Sequence, residues 1–259
     1  MSEGPPGLNT AERPERIAKL LARAGMCSRR DAERWIAEGR VSVDGEVLTS
    51  PAVTVGNNAE IRVDGQPLPA PERPRLWRYH KPAGLVTSHR DEKGRPTVFG
   101  ALPKELPRLI SIGRLDLSSE GLLLLTNDGA LARRLELPST GWIRRYKVRV
   151  HGEVEPEELA ALEKGVTIDR VSYGQIRASL ERQQRSNAWI AMALREGKNR
   201  EVRRVLEHLG LRVTRLIRLS YGPFQLGNLE RGGVAEVPKK VLAEQLGATD
   251  AAAHAGRRR

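Results

Sequence analysis

Between residues 67 and 74 four positions are proline: Pro67, Pro69, Pro71 and Pro74. Proline has no N–H to donate and holds φ at about −65°, so neither a helix interior nor a central strand can run through such a stretch. The chain must therefore pack as two modules joined by an extended, semi-rigid linker, placed at 64–75. That leaves a small module at 15–63 and a larger one at 76–240. The polar, Gly- and Pro-rich start (1–14) is expected to be a flexible tail. The end (241–259) offers little to bury and is expected to be disordered.

In the small module Ile17, Leu20, Leu21 and Ala24 recur at helical spacing and Gly25 supplies a stop. Ser28 with Asp31 forms a capping-box pattern opening a second helix with Ala32, Trp35 and Ile36, ended by Gly39. Val41 and Val43 alternate with polar residues before Asp44-Gly45, a hairpin signal, and Val47. Ile61 and Val63 form a further strand ending at Asp64-Gly65. The predicted helices carry Arg16, Lys19 and Arg23 on one and Arg29, Arg30 and Arg34 on the other. Residues 1–63 hold nine basic and nine acidic side chains, so any grip on a polyanion rests on placement rather than excess. The same charges also fit two amphipathic helices with solvated faces.

In the larger module RRYKVRVHG and WIAMALREG read as strands, EPEELAALEKG and NREVRRVLEHLG as helices, and the run Leu122–Leu125 as a buried strand. Short strands mixed with helices predict an α+β fold with a mixed, largely antiparallel sheet flanked by helices. The 259 residues are 39% hydrophobic and 29% charged with formal net charge +12. A core is affordable, and the charge favours a polyanionic partner because cations that meet phosphates release counterions. The single cysteine, Cys27, excludes an intrachain disulfide, and no Cys/His spacing matches a zinc site. No signal-peptide core and no run of ~18 apolar residues is present, so a cytoplasmic protein without membrane contact is expected.

The segment ERIAKLLARAGMCSRRDAERWIAEGRVSVDGEVL resembles the small S4-type RNA-binding domain. That resemblance implies contact with folded RNA through phosphate and shape, with Arg16, Arg29, Arg30 and Arg34 as contacts. The segment SIGRLDLSSEGLLLLTNDG resembles the signature of the RsuA/RluB group of ribosomal RNA pseudouridine synthases. Without those neighbours Asp116 would pass for a turn residue. The resemblance implies that Asp116 is the nucleophile and that Arg114 helps extrude the target nucleotide or holds its phosphate. It extends to Tyr146 in RRYKV, packed on the base, and to Arg203 in EGKNREVRR. It also implies Leu216 as the floor of the uracil pocket, with Leu219 as the alternative match. HKPAG at 80–84 fits the group more loosely, and no chemical role is assigned to His80.

The implied chemistry turns uridine into pseudouridine without gain or loss of atoms, so no cofactor or metal is expected. A carboxylate nucleophile must be ionised, which burial opposes, so a cationic partner is expected, and Arg203 is the candidate. The base must be turned out of its stack. Residues 195–218 carry eight basic and three acidic side chains, which suits that task. The motifs read closer to the RluB-like, large-subunit branch than to RsuA, so 23S ribosomal RNA or a pre-ribosomal particle is the expected partner of a monomeric enzyme. Small-subunit (16S) RNA, and a non-catalytic RNA-binding assembly protein, remain as alternatives. A methyltransferase would call for a glycine-rich cofactor loop, and no G-x-G-x-x-G is found.

Overall fold

The structure, a computed structural model, describes residues 14–56 and 58–256, leaving aside the side chains of Ser139 and 248–256. All but Pro14 of the tail expected at 1–14 lies outside the described residues. The chain divides into two units, one ending at Arg73 and the other beginning at Pro74.

In the first unit, β1 (Glu15–Arg16) leads into α1 (Ile17–Arg23), and α2 (Arg29–Ala37) follows. Ser28 and Asp31 form the reciprocal capping box at the start of α2, the Ser28 Oγ accepting the Asp31 N–H at 3.0 Å. Strands β2 (Val41–Val43), β3 (Glu46–Val47), β4 (Thr54–Val55), β5 (Ile61–Val63) and β6 (Gln66–Pro67) complete it. Four of these form a sheet in the order β3-β2-β5-β6, while β1 pairs with β4. Asp44-Gly45 turns with both φ angles positive, the hairpin geometry its sequence calls for. Asp64-Gly65 does the same, so it joins two strands instead of ending one. The expected linker thus begins too early: Pro67 belongs to an edge strand, where a missing N–H is tolerated. Ile17, Leu21, Ala32, Ile36, Val41 and Val63 bury one small core. Arg16, expected on the face of the first helix, precedes it as its N-cap residue.

In the second unit, β7 (Leu76–Lys81), β8 (Ile110–Ile112) and β9 (Ser119–Thr126) precede α3 (Gly129–Glu136) and β10 (Arg144–His151). Then come α4 (Pro156–Ala161), β11 (Val166–Ile168), β12 (Val171–Tyr173), β13 (Ile176–Gln184), β14 (Asn187–Leu194) and α5 (Glu201–His208). Strands β15 (Arg212–Tyr221), β16 (Phe224–Gln225) and β17 (Val234–Glu236) and helix α6 (Lys239–Gly256) finish the chain. Among the described residues the main sheet has nine strands, with the path β13-β14-β10-β15-β9-β7-β17 and with β16 on β15 and β8 on β9. Among the described residues of that sheet only β15 and β9 run parallel to each other as neighbours.

All eight residues of β9 are buried, the pattern of a strand covered on both faces. On β14 burial alternates throughout and on β10 it alternates from Tyr146 onward, with Tyr146, Val148, Val150, Ile190 and Met192 turned into a core shared with Val202, Val205 and Leu206 of α5. The side chains between them lie on the opposite, open face. The disordered tail expected at 241–259 is corrected over 241–256, which belongs to α6. Leu242 is buried and Leu246 packs against the core around Leu122 and Leu135, a burial that sparse apolar spacing in the sequence hides. No helix among the described residues is long and apolar enough to cross a membrane.

Candidate active site

Asp116 sits in the loop between β8 and β9, and that loop is held by its carbonyls. Lys81 is fully buried at the end of β7, and its Nζ donates to the carbonyls of Pro82 (3.0 Å), Asp116 (3.1 Å) and Ser119 (2.9 Å). An ammonium has three N–H donors and no acceptor, so these three bonds use all it has. Gly84 donates its N–H to the Leu117 carbonyl at 2.7 Å, and Thr87 Oγ1 donates to that of Leu115 at 2.8 Å. HKPAG thus positions the Asp116 loop. Sequence reasoning misses Lys81, although it follows Trp77 and Tyr79 at the two-residue spacing of a buried strand face. Burial pushes the Lys81 ammonium down to about 8, against the pull of Asp116 and Glu120. His80 turns elsewhere, its Nδ1 2.7 Å from the Leu229 carbonyl.

Beside the loop is a cavity of about 620 Å³. Asp116, Arg114, Tyr146, Arg203 and Leu216 all line it, although they come from four separate stretches of sequence. Tyr146 on β10 and Leu216 on β15 are buried and form an apolar wall with Leu194. Leu219 is exposed and does not line the cavity. Arg114 is exposed at the cavity edge.

Two cations compete for the place beside Asp116. Arg203 shares the cavity and is 6% exposed, but its Nη2 donates to the Ser118 carbonyl at 3.1 Å. The ion pair with Asp116 comes from Arg200, Nη1 to Oδ2 at 4.0 Å. Arg200 is the N-cap residue of α5 and has a left-handed backbone, φ 51°. Burial, then the charge of Arg200, lowers the Arg203 guanidinium from its ordinary value, while Asp116 and Glu207 act in the opposite sense. The Nε of Arg203 finds no hydrogen-bond partner among the described residues.

Arg218 on β15 is a further cation in the cavity wall that the sequence does not single out. It is 3% exposed, donates from Nε to the Leu122 carbonyl at 2.7 Å, and its Nη2 also finds no partner among the described residues. A basic strand residue carries no sequence sign that it points inward. Arg144 donates to Tyr221 Oη at 2.9 Å and lies over that ring. Two buried guanidinium groups with unused donors can bind an acceptor-rich, anionic group. Among the described residues no group of three or more His, Cys, Asp or Glu could hold a metal ion.

Of the first unit's candidates, Arg16, Arg29 and Arg30 are exposed and have no ion-pair partner among the described residues. Arg34 is held by Asp31 at 3.1 Å and Glu38 at 3.7 Å.

The model of a family described as RNA pseudouridylate synthase matches residues 75–208, and that of the S4 domain matches 15–61. An uncharacterized RNA pseudouridine synthase of Rickettsia felis is 49% identical over 228 residues, 88% of this chain and 99% of that one. Ribosomal large subunit pseudouridine synthase B of Yersinia pestis is 42% identical over 233 residues, 87% of this chain and 73% of that one. A crystal structure of a pseudouridylate synthase superposes with TM-score 0.62 at 27% identity, covering 89% of this chain and 99% of the other. The chain belongs to the RNA pseudouridylate synthase family and carries an S4 domain ahead of its catalytic domain.

Proposed function

We propose that this enzyme converts a uridine of large-subunit (23S) ribosomal RNA to pseudouridine, with Asp116 as the nucleophile. The carrying observation is that Asp116, Tyr146, Leu216 and Arg203 border one cavity. Likeness to the large-subunit synthase of Yersinia pestis supports the substrate.

The target base leaves its stack and enters the cavity, where Tyr146 and Leu216 cover its faces. Asp116 attacks the anomeric carbon of the ribose, and the glycosidic carbon–nitrogen bond breaks as the carboxylate–carbon bond forms. The base turns over, its ring carbon bonds to the same anomeric carbon, and the Asp116 carboxylate leaves with the electron pair of its bond. The proton on the newly bonded ring carbon leaves and the freed nitrogen takes one up, so atoms and electrons balance without an oxidant or reductant. The unused donors of Arg203 and Arg218 supply partners for the uracil oxygens or the flanking phosphate. Arg114 at the edge meets a phosphate, and Arg16, Arg29 and Arg30 grip RNA from the S4 domain. The enzyme works as a monomer in the cytoplasm, a state that light scattering and cell fractionation would check.

Pseudouridine mapping of ribosomal RNA from cells with and without the gene tests the reading, as does the same RNA treated with Asp116→Asn protein. The expected result is one or a few sites lost from large-subunit RNA without the gene, and no product with Asp116→Asn despite near-normal RNA affinity. Loss from 16S RNA would move the substrate to the small subunit, and turnover by Asp116→Asn would remove the nucleophile.

A further inference from the structure

The open face of the main sheet carries a cluster of cations that the active site does not use. Strand register places Arg215, Arg149, Trp189 and Arg182 in one row across β15, β10, β14 and β13. The next row toward the hairpin end pairs Arg212 with His151 and Asn187. In the other direction Lys147 stands opposite Ala191 and Ile217. Rows on one face repeat at about 7 Å along a strand and strands lie about 5 Å apart, so these charges form a continuous field. Tyr146 and Leu216, which line the cavity, belong to the opposite side of the same strands.

Acids on this face are already engaged. Glu181 pairs with Lys147 at 3.0 Å, and Glu120 with Arg215 at 2.6 Å and Arg231 at 2.7 Å. Arg149, Arg182 and Arg212 are exposed and have no ion-pair partner among the described residues. Trp189 is half-buried in their midst, with Lys147 Nζ 5.3 Å from its ring centroid. Several unneutralised guanidinium groups on one sheet face repel a second copy of that face. A phosphate backbone complements them, and the indole offers a stacking surface.

We propose that this face is a second RNA-docking surface, which holds a backbone segment of the substrate RNA distant from the uridine in the cavity. The proposal rests on RNA being the substrate, but not on Asp116 or on which uridine is modified. It explains why a positive field lies on the side of the sheet away from the chemistry. A large folded RNA can reach both sides of a single domain, whereas a short stem-loop cannot.

The test compares the full-length protein with two triple variants of equal net charge. One is Arg149→Gln, Arg182→Gln, Arg212→Gln on this face. The other is Lys104→Gln, Lys239→Gln, Lys240→Gln, at positions exposed elsewhere on the same unit. Binding to in-vitro-transcribed large-subunit ribosomal RNA is measured against potassium chloride concentration, with thermal melting to check folding. The face variant is expected to bind roughly tenfold more weakly at physiological salt. Its log–log salt slope should fall by about 2, at ~0.7–0.9 for each phosphate that is no longer neutralised. The control should change each much less, and pseudouridine formation on a short stem-loop substrate should be retained by both. As a reading independent of charge, Trp189→Phe should lose part of the fluorescence change that RNA produces. Equal effects of the two triple variants, or an unchanged fluorescence response, overturn the docking surface. So would a wild-type dimer converted to monomer by the face variant alone, which would make the face an interface between copies. Failure of the wild-type protein to form pseudouridine in any ribosomal RNA would instead sink the proposed function.

Discussion

Arg200 Nη1 stands 4.0 Å from Asp116 Oδ2, whereas Arg203, three residues further along, gives its Nη2 to the Ser118 carbonyl. Arg200 therefore pairs with the carboxylate, whereas Arg203 holds the backbone two residues after it. Arg200 is partly exposed, so its attraction is screened and its removal should cost less than ~1 kcal/mol of stability. Arg203 is buried, and its loss removes a charged hydrogen bond to the Ser118 carbonyl, for about 1.5–3 kcal/mol. On pseudouridine formation, Arg200→Met should lower kcat/KM by about fivefold, equivalent to ~1 kcal/mol of transition-state stabilisation. Arg203→Met should lower it further, because a buried donor in the cavity is lost. Arg204→Met is the control, since Arg204 is exposed and outside the cavity lining. Equal, small effects at 200 and 204 would show that the ion pair has no part in turnover.

Lys81 makes a prediction about pH. Burial sets it at about 8 against an ordinary value of 10.5. Between those values the unfolded chain holds the proton and the folded protein has lost it. This group alone thus makes stability rise with pH across that window, its cost being fully present below about 8. Turnover should move the opposite way. A neutral amine has only two N–H groups for three carbonyls, so the Asp116 loop loses a support. The expected result is a fall in kcat as pH rises through about 8, with no accompanying fall in melting temperature from this residue. In Lys81→Arg, checked for folding by melting, the guanidinium keeps its charge and that limb should vanish. A kcat that stays flat from pH 7 to 9.5 in the wild type would refute the idea.

Gly121 lies where β9 runs parallel to β15, opposite Arg218, with φ 101°. A Cβ there would press into the Arg218 carbonyl oxygen and stand 2.7 Å from its nitrogen, both backbone atoms that cannot rotate away. Gly121→Ala should destabilise the catalytic unit by about 3 kcal/mol or more, in line with overpacking plus a strained backbone. Denaturant titration reads this directly. A loss below about 1 kcal/mol would mean that β9 and β15 separate easily at this point.

Some of this is legible in the sequence, and the rest is hidden for physical reasons. The capping box at Ser28 and the apolar run of β9 depend on local chemistry, so they can be read directly. The resemblance of GRLD and its flanks to a known family points to Asp116, and Tyr146 and Leu216 come together with it only through long-range strand pairing. Lys81 and Arg218 escape notice because a buried cation looks like any surface lysine or arginine until its acceptors, which are backbone carbonyls, are in place. The same holds for Arg200 and Arg203. Helical spacing places the two near each other, but which one faces Asp116 is decided by the backbone at the start of α5. The C-terminal helix is hidden because Leu242 and Leu246 give too thin an apolar stripe to stand out against their neighbours.

The S4 domain separates its cations into engaged and free ones, which predicts unequal effects on RNA binding. Lys19 and Arg23 both pair with Glu15, the latter at 3.0 Å, and Arg40 makes a forked contact with Asp64 at 2.9 and 2.6 Å. Arg34 is held between Asp31 and Glu38. A phosphate would have to compete with those carboxylates, so such residues contribute less to binding than their charge suggests. Arg29 and Arg30, on the first turn of α2, have no such competitor among the described residues. Arg29→Gln with Arg30→Gln should therefore lower the salt slope of RNA binding by about 1.5, at ~0.7–0.9 for each phosphate, and weaken affinity several-fold. Arg34→Gln should change the slope by much less and cost the helix only about 0.5 kcal/mol through its lost side-chain pairs. Removal of residues 1–73 should weaken binding at least as much as the double substitution. It should leave turnover on a short substrate, since every cavity residue belongs to the second unit. If Arg34→Gln and the Arg29/Arg30 double substitution flattened the salt dependence in proportion to charge alone, the internal ion pairs would not survive RNA binding, and the free-versus-engaged distinction would fail.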